Sequence, residues 1–481
     1  MADRIITYRW GLFGLLVAVA GCFAHFFRID VLPQGLHQDE VSIGYNAYLI
    51  LHTGADEHGV RWPLFFEAFW EYKNPLYIYL LAGVYWLFGY SIWSTRVLNP
   101  ICWVVGSLFL YALARRLFPD RFTRLYVAIC LAFTPWVFTL TRISFELVVA
   151  YPLLGLHLYA VHRGFECESK KWAFVSGVAL ALTFYTESAF RLLTPLYILA
   201  VIICFAPREF RKMLSWFALG TLPPLIPYTV YASNNSENLI VEFVHKTYVY
   251  DPDATVLQTA GAFLSRYLEY LSPSFLLLSG DPNRLHFTGF CGEFLFTTVL
   301  LLLVAVVVIL RNEPRTRFCL YLLSGVLVAP VAAALTSAHF HSLRPVAMSV
   351  YGIVLSCYGM QALRPNLARI AIVCTAAAAT AFTIHYFVVY PAVSAIAYRN
   401  NGFNEVFNDA LARTRGRVVL SDKNWIDYIN LEFFGSVAGT HVPLVFGPRA
   451  LLQPGDVFIN SCDDRPAQRY GLDPFPCSDD P

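Results

Sequence analysis

Asp39 and Glu40 stand side by side in QGLHQDEVSIGYNAYLILHTG (Gln34–Gly54), directly behind the first apolar run of a very hydrophobic chain. An ionised carboxylate can take a proton from a reacting hydroxyl, and two adjacent ones can hold a hard divalent cation. Further along, charged residues recur singly among apolar neighbours: Lys73, Arg142, Glu146, Glu187, Arg191, His339, His341 and Arg344. A charge at bilayer depth costs about 3 kcal/mol or more unless it pairs or faces a cavity, so those that persist are candidates for function. Carboxylates beside arginines and a lysine suit chemistry on a phosphate-bearing molecule, because the cations neutralise the phosphate and arginine can fork onto two of its oxygens. Each residue also has a plain structural reading. Asp39 and Glu40 could simply charge a helix N-terminus, an effect of roughly 0.3–1 kcal/mol. Lys73, in EYKNP, could be an interfacial anchor ahead of a proline helix start. Arg142 with Glu146, and Glu187 with Arg191, have the i,i+4 spacing of a local pair. His341 and Arg344 could reach to the lipid headgroups. The functional reading rests on convergence: when the chain is threaded through a membrane, all these residues fall on one side.

The threading follows from composition. Of 481 residues 57% are hydrophobic and 14% charged, against about 25% charged in soluble domains. Several apolar runs reach the roughly 17–25 residues a helix needs to cross a bilayer. Together these give an all-α polytopic membrane protein. The short alternating segments of a β-barrel are missing, and a net charge of +2 implies no nucleic-acid partner. Short basic loops, among them ARRLFPDRFTR (Ala114–Arg124), HRGFECESKK (His162–Lys171), PREFRK (Pro207–Lys212), RNEPRTR (Arg311–Arg317) and RPNLAR (Arg364–Arg369), read as cytoplasmic by the excess of positive charge. They alternate with stretches that carry the lone charges. The alternation closes if NPLYIYLLAGVYWLFGY (Asn74–Tyr90) lies along or dips into the outer leaflet instead of crossing. The expectation is about eleven spans, with the N-terminus inside and the C-terminus outside the cytoplasmic membrane. Residues 1–390 form the membrane domain, with outer loops at 30–95 and 232–292, and residues 391–481, with strand-like RVVLSD and PGDVFINS, a small extracytoplasmic α/β domain. The N-terminal MADRIITYRWGLFGLLVAVAGC is read as an uncleaved first membrane helix rather than a signal sequence. Eleven cysteines show no metal-binding spacing. Cys462 and Cys477, in the polar tail, could pair if that tail lies outside the cytosol.

In this order DEVSIGYNAYLILHTGADEHGVRWPLFF, YKNPLYIYLLAGVYWLFG, STRVLNP, TRISFE, TFYTESAFRLLTP and HFHSLRP resemble the bacterial relatives of protein O-mannosyltransferases and lipid A aminoarabinose transferases, the dolichyl-phosphate-mannose-protein mannosyltransferase family. The resemblance spans roughly residues 12–390. It implies the C-type glycosyltransferase fold and transfer of a sugar from a polyprenyl phosphate to a lipid, glycan or protein acceptor at the outer membrane face. It also implies roles by position. Asp39 matches the catalytic acid, with Glu40 its neighbour, and Lys73, Arg142 and Arg344 match basic residues near the donor phosphate. Arg191 and His341 join that phosphate group of residues, with Glu146, Tyr185 and Glu187 in support. Some relatives have an aspartate shortly after the arginine matching Arg142, where this chain has Glu146, which bears on donor geometry and on any metal.

The implied chemistry is a single displacement. Asp39 would deprotonate the acceptor hydroxyl, an effect worth roughly 10²–10⁴ in rate, while the cations stabilise the departing lipid phosphate. The anomeric centre inverts and no cofactor is demanded, although Asp39 and Glu40 could hold a divalent metal. The rival reading is a transporter or flippase of a lipid-linked sugar. Such folds carry inverted repeats and midplane charges, whereas no repeat between the halves is visible in this chain.

Overall fold

The computed structural model describes residues 2–69, 71–235, 244, 246–251, 254–311 and 316–398, and beyond them 403–413, 416, 418–420, 428–439, 444–446, 453 and 456–459. It is a helical assembly. Helix α1 (Ala2–Phe26) leads into a loop and then α2 (Gln38–Thr53). A two-stranded antiparallel hairpin follows, β1 (Phe66–Ala68) with β2 (Glu71–Lys73), in which Phe66 opposes Lys73. Then come α3 (Pro75–Phe88), α4 (Ile92–Leu117), α5 (Arg121–Phe133) and α6 (Pro135–Leu140). After a 3₁₀ turn at Glu146–Val149 the chain continues through α7 (Ala150–Val161), α8 (Lys170–Leu182), α9 (Phe190–Cys204) and α10 (Arg211–Asn234). The second half holds α11 (Val256–Tyr270), α12 (Phe296–Arg311), α13 (Arg317–Val328), α14 (Pro330–Ala334), α15 (Ala347–Gln361), α16 (Pro365–Ile384) and α17 (Tyr390–Ala397).

Lipid offers no hydrophobic drive for helices to associate, so close backbone approach through small residues takes its place. In the α8–α10 contact a Cβ on Gly177 would lie 2.2 Å from the Phe217 carbonyl oxygen, and one on Gly220 would lie 2.1 Å from that of Phe174. Neither position admits a side chain. Many apolar side chains, including Leu15, Trp86, Leu108, Leu222 and Val373, remain exposed on the outer helices, as a lipid-facing surface requires.

The chain is a multi-pass membrane protein. Among the described residues, four helical stretches are long and apolar enough to cross: Ile92–Leu117, Arg121–Leu140, Arg317–Ala334 and Pro365–Ala395. A fifth is added if Phe190–Cys204 and Arg208–Asn234, bent by 120°, count as one broken span. That is fewer than the number expected from apolar runs. The difference lies in segments that are apolar throughout but divided, such as α7, which a 3₁₀ turn precedes and a π-turn at His162–Glu166 follows. Helix α3 has 14 residues, about 21 Å at 1.5 Å per residue, short of the roughly 30 Å hydrocarbon core.

In the tail, α18 (Phe403–Arg413), β3 (Val418–Leu420), α19 (Tyr428–Ala438), β4 (Leu444–Phe446) and β5 (Val457–Ile459) form a parallel three-stranded sheet in the order β4-β3-β5 with two helices. Helix α19 packs on α2: Phe433 lies over Gly44, where an added Cβ would sit 2.6 Å from its ring. Tyr45 donates to Glu432 (3.1 Å), and Tyr428 to Glu57 (2.7 Å). Cys462 and Cys477 lie outside the described residues.

Candidate active site

The acidic pair opens α2, but its two members face different surroundings. His37 caps the helix: its Nδ1 accepts from the Asp39 N–H (3.1 Å), and its own N–H donates to Glu40 (2.8 Å). Glu40 then turns inward and is fully buried. Both its oxygens accept from Arg96, at 2.9 Å from Nε and 2.9 Å from Nη2, and Oε1 accepts the Ser144 N–H at 2.9 Å. The remaining Arg96 bonds go to the carbonyls of Ile29, Pro33 and Gly35. Glu40 is therefore part of the clamp that fixes the loop before α2, and both its oxygens are engaged there rather than turned toward Asp39 as expected of a catalytic partner or shared metal ligand.

Asp39 faces the other way. Its side chain is 31% exposed, and Oδ1 lies 2.5 Å from the Lys73 ammonium, which the β1–β2 hairpin presents. Burial alone would push the Asp39 carboxyl up, but Lys73 and His37 outweigh it and hold it well below the usual carboxylate range. Burial likewise favours neutral Lys73, and Asp39 with Glu146 reverses this, so the ammonium is retained.

Asn74, the next residue, links three parts of the site. Its N–H and Nδ2 donate to Glu146 Oε2 at 2.7 and 2.6 Å, and its Oδ1 accepts from Arg191 at 3.3 Å. Burial raises the Glu146 carboxyl to about 7 despite Lys73 and the Asn74 donors. The i,i+4 partner Arg142 is not its contact. The chain turns at Thr141–Arg142 and is extended at Phe145 (φ −108°, ψ 141°), so the helical spacing has no helix to act on.

Arg142 departs furthest from expectation. Its guanidinium is buried and its N–H groups are taken by the carbonyls of Ala24, His25, Phe27 and Leu32 and the hydroxyl of Tyr386. It ties down the end of α1 and the loop that follows, in parallel with Arg96. A phosphate would have to displace those bonds, and the contacts of Arg142 are those of a scaffold residue rather than of the expected donor-phosphate ligand.

The cations with open surroundings lie elsewhere. Arg191, Lys246 and Arg344 line one cleft, together with Ser188, Tyr228 and Thr336. Arg344 donates to Thr336 Oγ1 (2.8 Å), and Lys246 pairs with Glu71 (3.2 Å) on the strand that carries Lys73. Arg191 also stacks over the Phe65 ring, its guanidinium carbon 4.7 Å from the centroid. Tyr185 supports the wall, donating to the Pro224 carbonyl (2.6 Å) and accepting from the Tyr228 N–H (3.1 Å). Glu187 accepts from the Ala189 N–H (2.5 Å) and shapes the turn that leads into α9. His341, expected with the phosphate group, turns instead toward His286, 4.9 Å between ring centroids. His339 is exposed and meets Glu269 at 3.3 Å.

Strand β2 and the residue after it join these parts: Glu71 holds Lys246, Lys73 holds Asp39, and Asn74 holds Glu146 and Arg191. Sequence reasoning missed Lys246, Asn74, His37 and Arg96. Lys246 sits in the stretch VHKTYVY without a motif around it, and only its place in the loop expected at 232–292 could have marked it.

The fold is that of a C-type membrane glycosyltransferase. Over 92% of this chain and 87% of the other, it superposes on the crystal structure of ArnT from Cupriavidus metallidurans in the apo state, with a TM-score of 0.62 at 12% identity. The structure of the same protein bound to undecaprenyl phosphate gives 0.61 at 11% identity, over 92% and 86% of the two chains. Residues 72–231 match the family model for dolichyl-phosphate-mannose-protein mannosyltransferase, so the resemblance read in the sequence is borne out there. No curated protein matches the chain.

Proposed function

We propose that the protein is an inverting glycosyltransferase that moves a sugar from a polyprenyl phosphate to an acceptor hydroxyl at the outer face of the cytoplasmic membrane. One observation carries the reading: a carboxylate–ammonium pair, Asp39–Lys73, is joined by a single strand to a cleft lined by Arg191, Lys246 and Arg344. The family match over residues 72–231, and a fold shared with a protein solved bound to undecaprenyl phosphate, support the donor class. The reading carries with it about eleven spans by the positive-inside rule, and an α/β tail outside the membrane.

The donor's phosphate enters the cationic cleft and competes with Asp39 for Lys73. As Lys73 turns to the phosphate, Asp39 loses the partner that suppresses its basicity and takes the proton of the acceptor hydroxyl. That hydroxyl's oxygen attacks the anomeric carbon as the bond to the phosphate oxygen breaks, and the cleft cations hold the charge left on the lipid phosphate. Glu146 positions Asn74, and through it Arg191. Reconstituted protein given a radiolabelled prenyl-phosphate sugar and a cell-envelope extract should pass label to an acceptor with inverted anomeric configuration. Retention of configuration would overturn the single displacement. A flippase would move the donor between leaflets without consuming it, so an unchanged donor pool overturns the transferase reading itself.

A further inference from the structure

Away from Asp39, the end of the second outer loop and the turn before α15 bring three ligand-type side chains together. Asp281, His286 and His341 each offer one donor atom within 4.8 Å of the others. Asp281 is 1% exposed and His286 6%, so this is not a solvated surface cluster. We propose that these three residues form a binding site for one divalent transition cation of the zinc class, with a fourth position open, that ties the outer loop around 281–293 to the turn around 336–344.

Four observations carry it. The donor set is two imidazoles and one carboxylate, the combination that leaves zinc an open position and that suits other first-row divalent ions. Second, His286 Nδ1 lies 3.3 Å from Asp281 Oδ2. That is longer than the roughly 2.7–2.9 Å of a charge-assisted hydrogen bond, and matches the edge of a tetrahedron with bonds of about 2.0–2.1 Å, which is about 3.3 Å. Third, the support around the ligands is already built. Asp281 accepts the N–H groups of Ser342 and Asn283, both at 2.7 Å, and the Ser342 carbonyl accepts from Trp136 Nε1 at 2.8 Å. The imidazole of His341 has a weaker tie, a 3.3 Å bond from the Leu343 N–H to Nδ1. Fourth, Ser342 also donates to Glu293 Oε1 (2.6 Å), which sets a second, fully buried carboxyl beside the cluster. Buried carboxyls gathered in this way are costly unless positive charge offsets them.

The site sits where it can matter. Arg344 and Thr336 of the cationic cleft are on the turn that carries His341. On the other side His286 packs edge-on against Phe145 (5.7 Å), and Phe145 against His37 (5.5 Å), the cap of the helix that carries Asp39. The bound cation therefore holds the cleft wall and the catalytic helix in register, a role that rests on the transferase reading; the binding itself does not.

The test uses full-length protein in detergent, stripped with EDTA, dialysed and titrated with Zn²⁺ or Co²⁺ alone. The expected result is one metal per chain by elemental analysis, tetrahedral visible bands with Co²⁺, and a rise in unfolding temperature on loading. His286→Ala and His341→Ala should each weaken binding by more than the roughly 10–100-fold typical of second-shell changes. His339→Ala, at an exposed site two residues from His341, should bind as the parent does. If the alanine variants do not fold, Asp281→Asn and the parent's own titration still decide. Substoichiometric uptake by the parent, or uptake unchanged in the ligand variants, overturns the site. Metal uptake without transferase activity would leave the site standing and count against the function proposed above.

Discussion

Asp39 and Glu40 are neighbours with opposite work, and their isosteric amides should separate cleanly. Glu40→Gln leaves Arg96 buried without its anion and offers one acceptor oxygen where the carboxylate met Arg96 twice and two backbone N–H groups. Breaking a fully buried pair from one side costs about 3–5 kcal/mol, a large share of the roughly 5–15 kcal/mol that holds a domain folded. Glu40→Gln should therefore lose yield and unfold at a lower temperature in detergent. Asp39→Asn is different. Its side chain is 31% exposed, and the amide oxygen can still accept from Lys73, so a change of about 1 kcal/mol or less in stability is expected. Its effect falls on chemistry: losing the general base should slow transfer by roughly 10²–10⁴, or about 3–5 kcal/mol in barrier. The paired assay is thermal unfolding together with transfer from a radiolabelled prenyl-phosphate sugar. If Asp39→Asn keeps more than a tenth of the parent rate, or unfolds as Glu40→Gln does, the division of labour is refuted.

On the proposed function, Arg344→Ala and Lys246→Ala should each weaken binding of a polyprenyl-phosphate probe about 10–100-fold, the worth of a hydrogen bond to a charged group, with little change in unfolding temperature. Arg142→Ala should do the reverse, since its bonds go to backbone carbonyls; thermal melts and titrations of the three variants check the contrast. Glu146 rises from an ordinary value of 4.5 to about 7 in the folded protein, so between those values the folded state binds more protons. Stability should fall across that window by on the order of 3 kcal/mol as pH rises and level off above about 7, and Glu146→Gln should remove this slope from a pH series of melts. Phe433→Ala should loosen α19 from α2 at a cost of roughly 3–5 kcal/mol to that contact, visible as faster limited proteolysis of the tail with the membrane helices still intact.

The helical membrane class was legible in the sequence because it rests on a local signal. Apolar runs announce helices, and isolated charges at their ends announce residues that need a reason. The sequence could not divide Asp39 from Glu40, because consecutive helix positions point about 100° apart and only the packed neighbours decide which one faces Arg96. Spacing misled at Arg142 and Glu146 because an i,i+4 rule presumes a helix, and the chain turns between them. Lys246 and the Asp281–His286–His341 cluster were out of reach for another reason. Residues tens of positions apart meet only through tertiary packing, which no local period encodes. Helix lengths count fewer crossings than apolar runs do, since a span broken by a 3₁₀ or π-turn keeps its composition and loses its length.

The division among the cations follows from what each guanidinium or ammonium would have to give up. Arg96 and Arg142 donate to seven backbone carbonyls between them, all in residues 24–35. Turning either toward a phosphate would strand buried acceptors at about 1–3 kcal/mol apiece, so their charge is spent on shaping the loop that aims α2. In the proposed reaction Lys73 gives up one partner, Asp39, for a donor phosphodiester whose single negative charge grows as the sugar leaves, and the same exchange frees the carboxylate to accept a proton. Arg344 gives up a hydroxyl, and Lys246 a half-exposed Glu71. In the proposed reaction a phosphate held by Arg191, Lys246 and Arg344 lies beside the strand that carries both Glu71 and Lys73, so the step that draws Lys73 from Asp39 is the one that frees the base.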